Sequence, residues 1–229
     1  MALLSLSATT AATARVHVEM VADVVCPYCY VGLSRLQKAV AALSPSTRID
    51  VVYTPFILRR HLPKEGVPKK EVFRAQFGSD DRGERVLAGV RATAAADGLC
   101  FDTEGQRAGN SEDAHRLLLW AGSDGPQRQL ELFEAMVKAY NCERGWLGDH
   151  QVLLRAVAAT PGLDVEAARA VLADSTSHAP ALEAGLRRAE ELGVRGVPSF
   201  FVNGKPLGSG APAVEVLRDV IAESCTAPA

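Results

Sequence analysis

The chain has 229 residues, 48% of them apolar, which is enough for one sizeable domain with a full core that disulfides need not hold together. Its 25 basic residues balance 27 acidic ones, and no basic stripe is interleaved with aromatics, so neither nucleic acid nor an anionic membrane is indicated as a partner. Five cysteines is an odd number, and Cys100, Cys142 and Cys225 are scattered without motif spacing; this argues against a secreted disulfide framework and for a reducing, cytoplasmic setting.

The opening MALLSLSATTAATAR lacks acids but has only LLSL as an apolar stretch and no basic region before it, which makes a poor secretory signal. The alternative is a short organelle-targeting peptide, and residues 1–13 are otherwise expected to be an unstructured N-terminus. No run approaches the roughly 20 apolar residues that span a membrane. VHVEMVADVV (16–25) alternates at Val16, Val18 and Met20 and then turns apolar, the pattern of a central strand.

A helix follows at once. Pro27 suits the first helical position, where its missing N–H costs nothing, and this makes Cys26 the N-cap. Leu33, Leu36, Val40 and Leu43 form a stripe at helical spacing that ends before Ser44-Pro45, and stepping back four residues from Leu33 lands on Cys29. The two cysteines of CPYC are therefore unlike: Cys29 begins the buried face, and Cys26 is expected at the open end of the helix. There the unpaired amides and the positive end of the helix dipole favour a thiolate, the reactive form of cysteine. Cys29, one turn on, can attack a mixed disulfide formed at Cys26 and release the substrate. Zinc would need about four ligands, and neither a second CxxC nor a nearby HxxxH accompanies the pair. Two inert structural thiols remain the bland alternative.

RIDVVYTPFIL (48–58) reads as a second strand, closing a right-handed βαβ unit. From residue 63 to 191 strand signals nearly vanish, and amphipathic segments repeat, such as Leu130, Phe133, Val137 and Tyr140 on one face. Helix starts are legible at Asn110-Ser111, Asp149 and Asp164, whereas LCFDTEGQRAGN (99–110) reads as a loop. Arg59-Arg60 and Lys69-Lys70 read as solvated faces, and Cys142 as an isolated small apolar filler or a third reactive thiol. Strand pattern resumes at SFFV (199–202), followed by the hairpin signal Asn203-Gly204, a short strand near Leu207 and a closing helix with Val214, Leu217 and Ile221 inward.

The order βαβ, helical block, ββα is that of an α/β thioredoxin-like fold with a large all-helical insertion. The expected division is a discontinuous thioredoxin-like domain over 14–62 and 192–225 and a helical insertion domain over 63–191. Pro198 should open the strand beside CPYC. A cis bond there would turn the Val197 carbonyl and N–H toward a bound peptide or thiol compound, with Gly193 and Gly196 allowing close approach to the active-site helix; an ordinary trans proline is the commoner case.

Further candidates carry weaker signals. Glu19 and Asp23 precede CPYC and could take the proton of Cys29, although a solvated strand edge and a strand-end cap are their simpler readings. His115 has a useful titration range but sits on a helix, where histidines are more often structural. Tyr28 and Tyr30 flank the cysteines and could shape substrate access, the alternative being packing.

DVVCPYCYVG (23–32), PFILRRHLPKEGVPKKEVFRAQFG (55–78), NSEDAHRL (110–117) and GVRGVPSFFVNGK (193–205) together resemble the DsbA-like thioredoxin-fold oxidoreductases. They are most similar to the FrnE-like branch, which is related to 2-hydroxychromene-2-carboxylate isomerases and kappa-class glutathione transferases. The resemblance covers about Val16 to Ile221. It implies a nucleophile at Cys26, a resolver at Cys29, a cis proline at Pro198, and substrate contacts from Pro27, Tyr28, Val197 and Pro198, with His115 near the active site. No tightly bound cofactor or metal is expected. Glutathione or a thioredoxin-type reductant is the expected redox partner, and protein or low-molecular-weight disulfides are the expected substrates. The isomerase and transferase relatives use glutathione and typically carry serine at the position of Cys26, so both cysteines favour dithiol chemistry. A glutathione-dependent isomerase or transferase is the alternative, and a non-catalytic interaction module is a third reading.

Overall fold

The computed structural model describes residues 15–44 and 48–226, so the expectations for 1–13 lie outside the described residues. β1 (Arg15–Ala22) runs into α1 (Pro27–Ala41), and the chain returns along β2 (Arg48–Pro55), parallel to β1 with Val16 opposite Ile49 and Met20 opposite Tyr53. Both strands stop three residues short of the ends that their patterns predict, for one reason. The Asp23 carbonyl accepts from the Cys26 amide at 3.1 Å, and the Asp23 carboxylate takes the Leu58 amide at 2.8 Å, so both chains turn away from the ladder there.

The helical block then carries β3 (Val67–Pro68), α2 (Lys69–Phe77), α3 (Asp80–Ala96), β4 (Arg107–Ala108), α4 (Glu112–Gly122), α5 (Pro126–Asn141), α6 (His150–Ala158), α7 (Val165–Ala173) and α8 (Ala179–Glu191). Asp149 and Asp164 cap α6 and α7 through their carboxylates, as their positions predict, and Ser111 precedes α4. Phe133, Val137 and Tyr140 are fully buried on α5. The segment expected to be a plain loop instead lends β4 to a short antiparallel pairing, with Val67 opposite Ala108.

After α8 come β5 (Ser199–Val202), β6 (Lys205–Ser209) and α9 (Val214–Thr226). The β5–β6 turn is Asn203-Gly204, both with positive φ (48° and 78°), the geometry that favours this residue pair in two-residue hairpins. The sheet order is β2-β1-β5-β6, with β5 antiparallel to β1, which leaves β1 paired on both sides and explains its nearly unbroken burial. Val16, Val18, Met20, Tyr53, Phe200 and Val202 belong to the main core with α1, α5 and α9. The opposite face packs Val21 and Phe201 against Ala189 of α8.

Two cysteines are not as their spacing reads. Cys100 and Cys142 form a disulfide across 42 residues, with Cα atoms 5.4 Å apart, joining the segment after α3 to the C-cap of α5. Cys142 is thus neither an isolated filler nor a free thiol. The pairing is made by packing in three dimensions, which spacing along the chain does not encode. Cys26, Cys29 and Cys225 are free.

Candidate active site

Cys26 is the N-cap of α1, with extended backbone (φ −88°, ψ 117°), no side-chain capping bond, and Pro27 following in the first helical turn. The helix therefore opens beside the thiol with amides that have no partner inside the helix. Cys29 lies one turn further in and is wholly inaccessible, whereas Cys26 retains 5% exposure. Cys26 thus stands at the open end of the helix, as expected, though little of it is exposed, and its thiol donates a hydrogen bond to the Val197 carbonyl at 3.5 Å.

The Val197–Pro198 peptide is cis. The close approach of this segment to α1 does not depend on Gly193 or Gly196, where an added Cβ would meet nothing within 4 Å. It depends on Gly32, where a Cβ would lie 3.0 Å from Pro198 Cγ and 3.1 Å from Phe200 Cζ. A glycine inside an amphipathic helix was the available signal, because the residue weakens a helix unless something packs against it. Gly193, with φ +70°, serves the turn after α8 instead.

Beneath the cysteines is a buried polar network. Asp23, fully inaccessible, accepts at Oδ1 from the Val25 amide (3.2 Å), Ser111 Oγ (2.9 Å) and His115 Nε2 (3.2 Å), and at Oδ2 from the Leu58 amide (2.8 Å). His115, equally buried, receives the Tyr53 hydroxyl at Nδ1. The Tyr53 hydroxyl also lies 3.4 Å from the Ala22 carbonyl. His115 accordingly touches Asp23 and Tyr53, not the open surface, so its place is behind the cysteines and not in a substrate contact. Burial pushes the Cys29 thiol well up, and the neighbouring Cys26 and the Asp23 charge add to this, while the Asp23 backbone opposes it. Tyr53 is likewise pushed well above its ordinary range, by burial first and then by Asp23 and Cys29. Tyr53 and Ser111 were not legible as site residues, because each reaches Asp23 or its partner from a different element.

Glu19 is not on a solvated edge. It is buried on the α8 face of β1, where it accepts from Thr54 Oγ1 at 2.7 Å and pairs with Arg188 at 3.0 Å. Burial raises its carboxyl, but the Arg188 and Thr54 hydrogen bonds outweigh this and hold it below the usual range. Lys69 is also misread by its sequence context. It is buried at the start of α2, with Nζ donating to Gln106 Oε1 at 2.5 Å and standing 4.8 Å from the Tyr140 ring centroid, 5.6 Å from Phe101 and 5.8 Å from Phe73. Lys70, its neighbour, is exposed as expected.

Tyr28 is 39% exposed and shares with Val197 a cavity of about 380 Å³, whose wall also includes Arg35, Thr93 and Gly210. Thr93 comes from α3, so the helical block contributes to this groove. A larger cavity, about 720 Å³, lies between α2, α3 and residues 101–106 and is lined by neither Cys26 nor Cys29. Among the described residues no cluster of His, Cys, Asp or Glu is arranged to hold a metal, and no helix is long and apolar enough to cross a membrane.

The model of the DSBA-like thioredoxin domain family matches residues 17–222. A probable DsbA oxidoreductase from Streptomyces coelicolor is 32% identical, with a TM-score of 0.84 over 93% of this chain and 92% of that one. A 2-hydroxychromene-2-carboxylate isomerase shares the fold at 15% identity (TM-score 0.68; 91% of this chain, 96% of that one). So does the cytosolic disulfide reductase DsbM from Pseudomonas aeruginosa, solved with GSH, at 16% identity (TM-score 0.60; 90% and 98%). No curated protein matches the sequence.

Proposed function

This chain belongs to the DSBA-like thioredoxin-domain family of disulfide oxidoreductases and isomerases, and from that premise we propose that it exchanges thiols and disulfides through Cys26 and Cys29. The observation that carries the reading is the asymmetry of the pair: Cys26 caps α1 against the Val197 carbonyl, while Cys29 is sealed above Asp23. The Cys26 thiolate attacks one sulfur of a substrate disulfide; a Cys26–substrate bond forms, and the other substrate sulfur leaves as a thiolate. Cys29 then gives up its proton and attacks Cys26 Sγ, releasing the second substrate thiol and leaving a Cys26–Cys29 disulfide. The proton leaves a thiol whose ionisation burial opposes, so a nearby acceptor is required, and the proposed one is Asp23, whose Oδ2 carries the Leu58 amide alone. The same steps in reverse oxidise a dithiol, and the balance of directions is set by reduction potential.

Pro27 and Tyr28 on one side and Val197 and Pro198 on the other border the thiol, and they are the proposed substrate contacts. Protein or low-molecular-weight disulfides are the proposed substrates. Glutathione, present in the DsbM structure, or a thioredoxin-type protein is the proposed redox partner, with no tightly bound cofactor. Membership of the FrnE-like branch and a cytoplasmic setting belong to the same proposal.

Two variants test it. Cys29→Ala should trap Cys26 in mixed disulfides with model substrates, visible as mass adducts; reactive Cys26 without adducts would overturn the exchange mechanism. Cys26→Ser should lower disulfide reduction by at least about a thousandfold, or about 4 kcal/mol of transition-state stabilisation. Activity retained by that serine variant would shift the assignment to glutathione-dependent isomerase or transferase chemistry.

A further inference from the structure

The Cys100–Cys142 disulfide takes no part in the exchange described above, yet its surroundings are not those of a buried staple. Cys100 is exposed and Cys142 half-buried at the C-cap of α5. The half-buried sulfur has a proton donor beside it: the Tyr30 hydroxyl lies 3.9 Å from Cys142 Sγ. Tyr30 directly follows the resolving cysteine on α1, so this second sulfur pair abuts the active-site helix. Residues adjoining both half-cystines, Phe101 and Asp102 on one side and Arg144 on the other, line the 720 Å³ cavity.

We propose that Cys100–Cys142 is a second thiol–disulfide exchange site, opened by a low-molecular-weight dithiol that attacks Cys100, the exposed half-cystine, with the Tyr30 hydroxyl as hydrogen-bond donor to the leaving Cys142 sulfur. A thiolate of the dithiol forms a bond to Cys100 Sγ, the Cys100–Cys142 bond breaks, and its electron pair departs on Cys142 Sγ, which accepts a hydrogen bond from the Tyr30 hydroxyl and takes a proton from solvent. The second thiol of the reductant, deprotonated to solvent, attacks its own mixed-disulfide sulfur and expels Cys100, which is protonated by solvent. Two electrons and two protons pass from the dithiol to the protein, giving a cyclic disulfide and two cysteine thiols. Burial and the charges of Glu134 and Glu143 push the Tyr30 phenol up, so it keeps its proton and acts as a hydrogen-bond donor.

The direction of attack follows from access and from the leaving group. Cys100 is the more exposed half-cystine, and a departing thiolate on Cys142 would otherwise face the negative end of α5. The segment need not come loose on opening, because other bonds hold it. The Asp102 amide donates to the Asn141 carbonyl at 2.6 Å, and Arg144 pairs with Asp102 at 2.6 Å and Glu104 at 2.9 Å. These contacts flank both half-cystines and keep the two thiols close, so the bond can re-form.

The test uses the full chain carrying Cys26→Ser and Cys29→Ser, titrated with dithiothreitol at pH 7 without denaturant, then alkylated and mapped by peptide mass, with free Cys225 as the labelling control. Cys100 and Cys142 should become labelled together while far-ultraviolet circular dichroism stays unchanged, and oxidised glutathione should close them again once the dithiothreitol is removed. Adding Tyr30→Phe should slow opening at least threefold. Labelling that requires denaturant would make the bond a structural staple and overturn the proposal, as would labelling of both cysteines before any reductant is added. An opening rate indifferent to Tyr30→Phe would overturn the role given to Tyr30.

Discussion

Asp23 at the end of β1 and Lys69 at the start of α2 are both ionisable side chains taken out of water, and the two regions accommodate them in opposite ways. Asp23 is met by four donors, two of them backbone amides at a strand end, so hydrogen bonds from the fold itself replace its water. Lys69 is met by one amide oxygen and three aromatic rings, and among the described residues no carboxylate pairs with it. Burial, and then Arg59, lower its pKa to about 7, against an opposing pull from Cys26. A buried charge is tolerated when hydrogen bonds replace water, and gives up its charge when they do not.

The comparison breaks most sharply at Asp23. Asp23→Ala leaves the Ser111 hydroxyl, the His115 N–H and two backbone amides without their acceptor in a sealed site. By the measure of broken buried networks it should destabilise the protein by about 3–5 kcal/mol. Urea unfolding at pH 7 measures this. A loss under about 1 kcal/mol would mean that the network is not what holds the turn between β1 and α1.

Lys69 should behave with the opposite sign. Replacing a poorly compensated buried charge with an apolar chain of similar volume is often stabilising by about 1–4 kcal/mol, so Lys69→Met should raise the urea midpoint at pH 6. The pH dependence follows from the lowered folded-state pKa. Below about 7 the lysine is protonated both folded and unfolded, and the cost of burying it is fully present. Between about 7 and the unfolded value near 10.5 the unfolded chain binds more protons than the folded one, so wild-type stability rises with pH. The advantage of Lys69→Met should therefore shrink from pH 6 to pH 9. An advantage that is constant with pH would show that Lys69 does not lose its proton in the folded protein.

These two sites also mark what was legible in the sequence. The Asp23 end of the molecule rests on local signals: an apolar strand, a proline at a helix start, a stripe beginning at Cys29, and a turn signal behind β5. Each of these corresponds to an observed element. The role of Asp23 as a strand-end cap is equally local, since Val25 is two residues away. Lys69 gave no such signal. Its partners Phe101, Gln106 and Tyr140 lie more than thirty residues on, and in the chain it reads like its exposed neighbour Lys70. The Cys100–Cys142 bond and the β3–β4 ladder were hidden for the same reason: each is made by the folding-back of the helical block and not by any periodicity within a segment.

Glu19 offers the finest test, because it combines both situations. Like Asp23 it is engaged by donors, Thr54 and the guanidinium of Arg188, but Arg188 is about half exposed, which weakens the pair through solvent screening. Glu19→Gln keeps the shape and an acceptor for Thr54 while removing the charge, so at pH 7 it should cost only about 1 kcal/mol. The folded-state carboxyl is held below its ordinary value of 4.5, so its contribution is present above that value and is lost as pH falls through the lower folded pKa. The gap between wild type and Glu19→Gln, measured by urea unfolding, should be steady from pH 7 to 5 and narrow below 4.5. A gap as large as that of Asp23→Ala would place Glu19 with the fully compensated buried charges, and no gap at all would show that half-exposed Arg188 does not engage it.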